Sequence, residues 1–237
     1  MRLDIFLAEH GFATSRTRAQ ELISRGLVVV NGRQAGRSSK EISERDYVLV
    51  EGDLPYVSRA GEKLSFALEY FSVDVAGKHV LDIGSSTGGF TDVVLQKGAA
   101  SVTAVDVGTN QFDKELANNP RVTLFEKTDI RDFYPEKRFD VIVIDLSFIS
   151  QKEIIPYLER FTKEGVDIVA LIKPQFEVGR QNIGKGGIVK NPDLILDTLE
   201  MIKEEYSKNS FACDIDPAPS PIKGGDGNQE YLIHCSG

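Results

Sequence analysis

The chain has 237 residues, of which 41% are hydrophobic and 27% are charged, as expected for a protein that folds around an apolar core. No apolar run approaches the roughly 20 residues of a membrane-spanning helix, and the N-terminus lacks the apolar segment of a signal peptide. A net charge of −8 argues against a surface coated with basic residues. The only two cysteines, Cys213 and Cys235, are far apart and predict neither a metal cluster nor a disulfide framework. We therefore expect a reduced, cytoplasmic setting and no metal site.

The first fifty residues predict the order helix, helix, strand, turn, strand. Apolar residues at helical spacing give a first helix that ends at Gly11. A second helix begins after Ser15, a suitable N-cap, and ends at Gly26. A valine strand, 28–30, then runs into the strong hairpin signal Asn31-Gly32, and residues 47–50 form the further strand.

This segment resembles the S4 RNA-binding domain, through Arg2-Leu3-Asp4, Ser15-Arg16, and the run from Leu22 to Gly32. The resemblance implies a small α+β domain whose partner is RNA. Basic and acidic residues balance over residues 1–53, so charge permits RNA binding without demanding it. Basic side chains that share one face could follow phosphates without reading sequence, whereas the alternative is an ordinary solvated surface. The candidate RNA contacts are Arg16, Arg18, Arg25, Arg33, Arg37 and Lys40.

Beyond a short linker, strands alternate with helices, which predicts a parallel α/β sheet. We expect an RNA-binding domain over residues 1–52, a linker over 53–58 and an α/β domain over 59–237. The predicted strands are His79–Ile83, Ser101–Asp106, Val122–Glu126, Val141–Ile144, Asp167–Ile172 and Glu230–Cys235. The predicted helices include Lys63–Tyr70, Gly89–Lys97, Gln151–Arg160 and Leu194–Lys208.

The most informative stretch is a buried strand that runs into a glycine-rich turn and then a helix, from His79 to Phe90. Ligands of open α/β sheets bind outside the carboxyl ends of the strands, where glycine lets the backbone approach closely. Asp106, about 20 residues beyond the glycine turn, can accept hydrogen bonds from a ribose diol. These features predict a cofactor that contains a nucleoside.

The glycine spacing separates two cofactor classes. A dinucleotide site requires Gly-x-Gly-x-x-Gly, whereas this chain has Gly84, Gly88 and Gly89 with Asp82 ahead of them. The stretch resembles class I methyltransferases, which implies a Rossmann-like fold and S-adenosylmethionine as cofactor; a dehydrogenase is the alternative. The resemblance implies the cofactor-binding residues Asp82, Gly84, Ser85, Ser86, Thr87, Gly88, Gly89, Phe90, Asp106, Asp129 and Ile130.

Four charged residues stand at predicted strand ends or ahead of the sheet: Lys63, Asp145, Lys173 and Glu230. Alone, each would be an ordinary solvated charge. Together, they could assist a reaction at a weakly acidic hydroxyl, which requires a base or electrostatic help. Their order resembles the tetrad of FtsJ-type 2′-O-methyltransferases. The S4-like segment, the Arg59-Ala60-Gly61-x-Lys63 motif and the Lys173-Pro174-Gln175-Phe176-Glu177 strand end together resemble the TlyA family within that group. The resemblance implies that Lys173 is the central catalytic lysine, as base or as oxyanion stabiliser. Asp145 would orient it, and Lys63 and Glu230 would position the acceptor ribose.

The predicted activity is therefore S-adenosylmethionine-dependent 2′-O-methylation of ribose, with ribosomal RNA or ribosomal subunits as partner and no stable membrane association. Some family members have carried the name haemolysin, so a membrane-active protein is an alternative. An RNA-binding module with an inactive methyltransferase domain is another. The sequence leaves open the nucleotide, the ribosomal subunit and the oligomeric state.

Overall fold

A computed structural model describes residues 1–43 and 45–237. The chain divides into two compact units, Met1–Ser58 and Arg59–Gly237, each with its own core. Within these ranges, every helix is too short or too polar to cross a membrane.

The first unit is an α+β fold with two helices and a three-stranded antiparallel sheet in the order β2-β1-β3. Ser15 caps the second helix by accepting a hydrogen bond from the backbone N–H of Arg18. Asn31 and Gly32 both have positive φ, which suits a tight hairpin turn whose second arm, β2, was not predicted. The elements are α1 (Leu3–Glu9), α2 (Arg16–Ser24), β1 (Val28–Val30), β2 (Arg33–Gln34) and β3 (Val48–Val50).

The segment predicted as a linker, residues 53–58, falls within this first unit. Leu54 is buried in the same core as Leu3 and Val28. Arg18 donates to the backbone carbonyls of Leu54 and Tyr56, which ties the segment to α2.

The second unit contains a seven-stranded sheet in the order β6-β5-β4-β7-β8-β10-β9. Its helices are α3 (Ala60–Tyr70), α4 (Gly89–Gln96), α5 (Lys114–Ala117), α6 (Pro174–Glu177) and α7 (Pro192–Lys208). Its strands are β4 (His79–Ile83), β5 (Ser101–Val105), β6 (Val122–Phe125), β7 (Phe139–Ile144), β8 (Thr162–Ile172), β9 (Ala218–Pro219) and β10 (Tyr231–Ser236). The Rossmann-like α/β prediction is confirmed.

The sheet is parallel, as predicted, except at its last two strands. Strands β6, β5, β4, β7 and β8 are parallel, but β10 runs antiparallel to both β8 and β9. Tyr231 lies opposite Ile172, so β10 begins where β8 ends. The start of β10 therefore lies at the same edge of the sheet as the carboxyl ends of the parallel strands.

The predicted helix Gln151–Arg160 is instead two 3-10 segments, Gln151–Glu153 and Ile155–Phe161. Pro156 lies at the start of the second segment and has no N–H to bind the carbonyl four residues earlier. A continuous α-helix is therefore interrupted at this point.

The two cysteines, whose number and spacing predicted no disulfide framework, form one disulfide between Cys213 and Cys235. The chain returns to the sheet after α7, where Ala212 makes an antiparallel bridge with Ser236. This pairing brings the two Cα atoms within 4.1 Å across 22 residues of sequence. Sequence separation alone could not reveal it, and the inference of a reduced compartment from cysteine number loses its basis.

Candidate active site

The glycine-rich turn after β4 lies against the end of β7. Gly84 has a φ of 81°, and a Cβ atom there would come within 2.5 Å of the carbonyl oxygen of Asp145. Gly88 has a φ of 93°, and a Cβ atom there would come within 2.7 Å of the Leu116 side chain. Both the backbone conformation and the close packing therefore require glycine. Phe90 is buried one residue into the helix that follows.

A cavity of about 300 Å³ opens beside this turn at the carboxyl ends of the strands. Of the predicted cofactor residues, Gly84, Ser86, Asp106, Asp129 and Ile130 line the cavity, whereas the remaining six lie in the strand, the turn or the helix behind it. The cavity is also lined by residues that were not predicted as cofactor contacts, among them Val107, Gly108, Gln111, Leu146, Ser147, Phe148, Ile149 and Ile154.

The Asp106 carboxylate is fixed by two backbone N–H groups. Ser86 donates to Oδ2 at 2.7 Å and Gly108 donates to Oδ1 at 2.6 Å. Across the cavity, both Asp129 oxygens bind the Arg131 guanidinium, at 2.9 and 2.6 Å, and these hydrogen bonds lower the pKa of Asp129. The two carboxylates therefore have fixed orientations on the cavity wall.

Two buried polar groups behind the turn have unsatisfied atoms. Asp82 is fully buried, and its Oδ2 accepts a 2.6 Å hydrogen bond from Thr91. Asp82 Oδ1 and Ser85 Oγ are buried without a hydrogen-bond partner among the described residues. Burial raises the pKa of Asp82 to about 7, and repulsion from Asp145 and Asp106 adds to the shift. Unsatisfied buried acceptors indicate a missing polar partner, and a cationic one would suit this acidic group.

The four predicted catalytic residues form two lysine–carboxylate pairs. The Lys63 ammonium group binds Glu230 Oε2, and both residues are buried, with 8% and 3% exposure. The Lys173 ammonium group binds Asp145 Oδ1 at 2.7 Å. Asp145 and Lys173 directly follow the parallel strands β7 and β8, and Glu230 directly precedes β10. Because β10 is antiparallel to β8, its start lies beside the ends of β7 and β8. Glu230 therefore lies at the same end of the sheet as Asp145 and Lys173.

The loop after β7 contributes two residues that were not predicted to act in catalysis. Ser147 Oγ accepts a 2.8 Å hydrogen bond from Lys173 Nζ. Phe148 has a φ of 67°, is 90% exposed, and has its ring centroid 5.1 Å from that of Phe176. A positive φ at a bulky residue is unusual, and it turns this side chain outward. The only sequence signal was their position two and three residues after Asp145.

A buried network fixes this loop to the segment that contains Lys173. Glu177 accepts hydrogen bonds from the Ser150 hydroxyl at 2.5 Å and from the Gln151 backbone N–H at 2.9 Å. The Gln151 side chain donates to the Leu171 carbonyl at 2.9 Å and accepts from Tyr206 at 3.1 Å. Burial raises the pKa of Glu177. Each buried polar side chain in this network has a partner, which favours one arrangement.

In the first unit, the predicted RNA contacts do not form one group. Arg16 binds the buried carboxylate of Asp4 at 2.8 Å, beside Arg2, which binds the same carboxylate and was not predicted. These hydrogen bonds, led by that from Arg2, lower the pKa of Asp4. The Lys40 carbonyl accepts from the Leu3 N–H, so Lys40 belongs to this end of the unit.

Other candidates occupy different positions. Arg25 follows α2, whose nine residues span about 13 Å, and Arg33 lies on the neighbouring hairpin. Arg18 points towards residues 53–56 and binds Asp53 at 2.8 Å, with 15% of its side chain exposed against 54% for Arg16. Arg37 is exposed in the loop that precedes Lys40. The structure thus groups Arg16 and Lys40 and separates Arg18 from them.

Comparison with known proteins divides the chain into the same two parts. The S4 domain model matches residues 1–48, and the FtsJ-like methyltransferase model matches residues 56–236. The 16S/23S rRNA (cytidine-2′-O)-methyltransferase TlyA of Mycobacterium tuberculosis is 40% identical, over 98% of this chain and 88% of that protein. Hemolysin A of Brachyspira hyodysenteriae is also 40% identical, over 99% of both chains. A solved structure from Streptococcus thermophilus, named as a hemolysin candidate, is 39% identical with a TM-score of 0.79, over 100% of this chain and 88% of that one.

Proposed function

We propose that this chain, which belongs to the FtsJ-like methyltransferase family and carries an S4 domain, methylates a ribose 2′-oxygen of ribosomal RNA with S-adenosylmethionine. The proposal is carried by two lysine–carboxylate pairs at the carboxyl edge of the sheet, one of which adjoins the cavity through Asp145. We assign RNA binding to residues 1–52, methyl transfer to 59–237, and the connection to 53–58.

The residues around the cavity suit S-adenosylmethionine. Asp106 could accept hydrogen bonds from the ribose diol, and Asp129 with Ile130 would hold the adenine. The unsatisfied Asp82 Oδ1 and Ser85 Oγ provide acceptors for the cationic methionine end. Gly84 and Gly88 let the backbone pass close to the ligand, while Ser86, Thr87, Gly89 and Phe90 complete the turn and the start of α4. When bound, S-adenosylmethionine supplies an electrophilic methyl group whose bond to sulfur breaks, with its electron pair, as the acceptor oxygen bonds to carbon.

The lysine pairs differ in their proposed roles. Lys173 faces the acceptor hydroxyl, and Asp145 holds its ammonium group in place at 2.7 Å. Lys63 and Glu230 neutralise each other in a buried position, from which they would orient the acceptor ribose. A fixed acceptor lowers the entropy cost of an in-line transfer.

The substrate assignment rests on the relatives. The Mycobacterium tuberculosis protein is named for cytidine 2′-O-methylation of 16S and 23S ribosomal RNA, and we propose the same class of nucleotide in ribosomal RNA or ribosomal subunits here. Arg16 and Lys40, together with Arg25, Arg33 and Arg37, would bind phosphates, and Arg18 would support the RNA-binding unit from within. An enzyme with this substrate acts in the cytoplasm.

The test is transfer of labelled methyl from S-adenosylmethionine to undermethylated ribosomal subunits and free ribosomal RNA, followed by mapping of the modified ribose. We expect label on a 2′-oxygen, and a rate at least about 100-fold lower for Lys173→Ala because the group that assists the proton is lost. Lys163→Ala is the matched control. Lys163 lies at the start of β8, the strand that Lys173 follows, and binds Asp140 of β7 at 2.7 Å.

Two outcomes would contradict the proposal. A wild-type protein that binds S-adenosylmethionine but transfers no methyl to subunits or free ribosomal RNA would overturn the substrate. Lysis of erythrocytes by the protein without S-adenosylmethionine would favour the membrane-active alternative.

A further inference from the structure

Ser147 is the only described hydroxyl residue bound to the Lys173 ammonium group. It lies two residues after Asp145, in the loop that follows β7, and it also lines the cavity. The Lys173 nitrogen therefore has two fixed neighbours, Asp145 Oδ1 at 2.7 Å and Ser147 Oγ at 2.8 Å.

The hydrogen bond to Ser147 fixes the directions of the other substituents on the Lys173 nitrogen. The contact with Asp145 Oδ1 is an ion pair without hydrogen-bond geometry, so Ser147 accepts the hydrogen bond that directs the nitrogen. A neutral lysine amine has two N–H groups and one lone pair, apart from its bond to carbon. Once Ser147 accepts one N–H group, rotation about the last carbon–nitrogen bond is fixed, and the lone pair occupies one of the two remaining directions. A lysine without such an acceptor can rotate about that bond and is not directed in this way.

The loop that carries Ser147 is anchored to the segment around Lys173. Three and four residues beyond Ser147, Ser150 and Gln151 donate to Glu177, and Gln151 also donates to the Leu171 carbonyl. Glu177 and Leu171 lie on either side of Lys173 in the chain. These contacts thus join the loop of Ser147 to the chain on both sides of Lys173.

The opposite end of the same two strands lacks this arrangement. Lys163 binds Asp140 at 2.7 Å, and among the described residues no hydroxyl group adds a second hydrogen bond to its ammonium group. The carboxylate of its own ion pair thus accepts the hydrogen bond from Lys163, whereas the Ser147 hydroxyl group accepts the one from Lys173.

We propose that Ser147 is a positioning residue that directs Lys173 at the acceptor hydroxyl, an inference that rests on the proposed methyl transfer. The Lys173 ammonium group must first release one proton to solvent, which leaves the lone pair that Ser147 directs. As the acceptor oxygen bonded to the methyl carbon and the carbon–sulfur pair returned to sulfur, the hydroxyl proton would move to that lone pair. Ser147 accepts an N–H throughout and exchanges no proton with the substrate.

The test compares Ser147→Ala and Ser147→Thr with wild type in single-turnover methyl transfer at saturating cofactor. We expect Ser147→Ala to lower the transfer rate by about 30-fold, because misdirected catalytic groups cost on the order of 100-fold or less. Its Kd for S-adenosylmethionine and for RNA should stay within about threefold, because the lost hydrogen bond goes to Lys173 and to no ligand. Ser147→Thr keeps the hydroxyl and should restore the rate to within about threefold of wild type.

Several results would overturn the inference. An unchanged rate for Ser147→Ala would show that Asp145 alone directs Lys173. A faster rate would show that Ser147 donates to the lone pair and blocks it. A loss of the same size in Ser147→Ala and Ser147→Thr would exclude the hydroxyl as the cause. If wild type itself fails to methylate ribosomal RNA, the proposed function has failed instead, so the two failures are distinguishable.

Discussion

The two edges of the seven-stranded sheet carry the same kind of ion pair and differ in what surrounds it. At the amino edge, Lys163 pairs with Asp140 between β7 and β8, and at the carboxyl edge Lys173 pairs with Asp145. The amino-edge side chains are 42% and 27% exposed, against 12% and 16% at the carboxyl edge. Only the carboxyl-edge pair adjoins the glycine turn and the cavity. The same residue types beside the same two strands therefore indicate a functional site only at the end of the sheet where ligands bind.

The carboxyl edge also contains a pair that is more enclosed than either of these. Lys63 and Glu230 each have at most 10% of their side chain exposed. Two charges removed from water lose hydration that one ion pair does not fully replace. A buried pair of this kind adds little to the free energy of unfolding, which favours a role in binding or orientation over a role in stability.

The largest effect should come from breaking the enclosed pair. We expect Glu230→Met or Lys63→Met to lower the free energy of unfolding by about 3–5 kcal/mol, because each leaves one buried charge without a partner. The double variant should recover stability to within about 1 kcal/mol of wild type and still fail to transfer methyl. Urea denaturation and the methyl-transfer assay measure the two properties separately.

The amino edge supplies the control for this prediction. Lys163→Met breaks an exposed pair and should cost less than about 1 kcal/mol, since exposed pairs are screened by solvent. Equal losses at the two edges would show that burial is not the cause. A double variant that transfers methyl at the wild-type rate would remove Lys63 and Glu230 from the proposed machinery.

A smaller effect, on cofactor affinity, should distinguish Asp82 from the other acids of the carboxyl edge. Burial raises its pKa to about 7, so Asp82 is protonated below that pH and ionised above it. Bound S-adenosylmethionine carries positive charge and would favour the ionised form. We therefore expect the cofactor Kd to fall about tenfold from pH 6 to pH 8 in wild type and to change little in Asp82→Asn. Isothermal titration calorimetry across this range provides the measurement.

The same shift has a consequence for stability. Between the ordinary aspartate pKa and about 7, the folded protein holds a proton that the unfolded chain has released. Stability without cofactor should therefore decline as pH rises through this window, and Asp82→Asn should abolish that decline. A wild-type stability that rises over the same range, with no difference in Asp82→Asn, would contradict the buried-carboxyl interpretation.

The strand pattern made much of the fold predictable. His79–Ile83 was predicted with the bounds that the structure has, because a buried parallel strand is a continuous apolar run bounded by turn residues. The direction of β10 was not predictable, because an apolar strand has the same pattern whether its neighbour is parallel or antiparallel. That direction is what brings Glu230 beside the end of β8.

The site was predictable where chemistry is local and not where it depends on packing. Gly84 and Asp106 follow from the strand–turn–helix order, Ile130 was implied by the family resemblance, and all three line the cavity. Ser147 is an ordinary serine in sequence, and only the hydrogen bond from Lys173 distinguishes it. The disulfide between Cys213 and Cys235 was missed for the same reason, since it depends on the return of the chain to the sheet.

The smallest expected effect concerns two arginines of the first unit. Like the two ion pairs of the sheet, they make the same kind of contact and differ in exposure. Arg16 and Arg18 are near neighbours on α2 and each binds a carboxylate at 2.8 Å, yet Arg16 is largely exposed and Arg18 is not. Arg16→Ala should weaken RNA binding a few-fold and reduce the salt dependence by about one counterion, because one phosphate contact is lost. Arg18→Ala should instead reduce the thermal stability of the unit, since Arg18 holds residues 53–56. RNA affinity measured over a salt series separates the two roles, and an identical salt slope for Arg16→Ala and wild type would show that Arg16 contacts no phosphate.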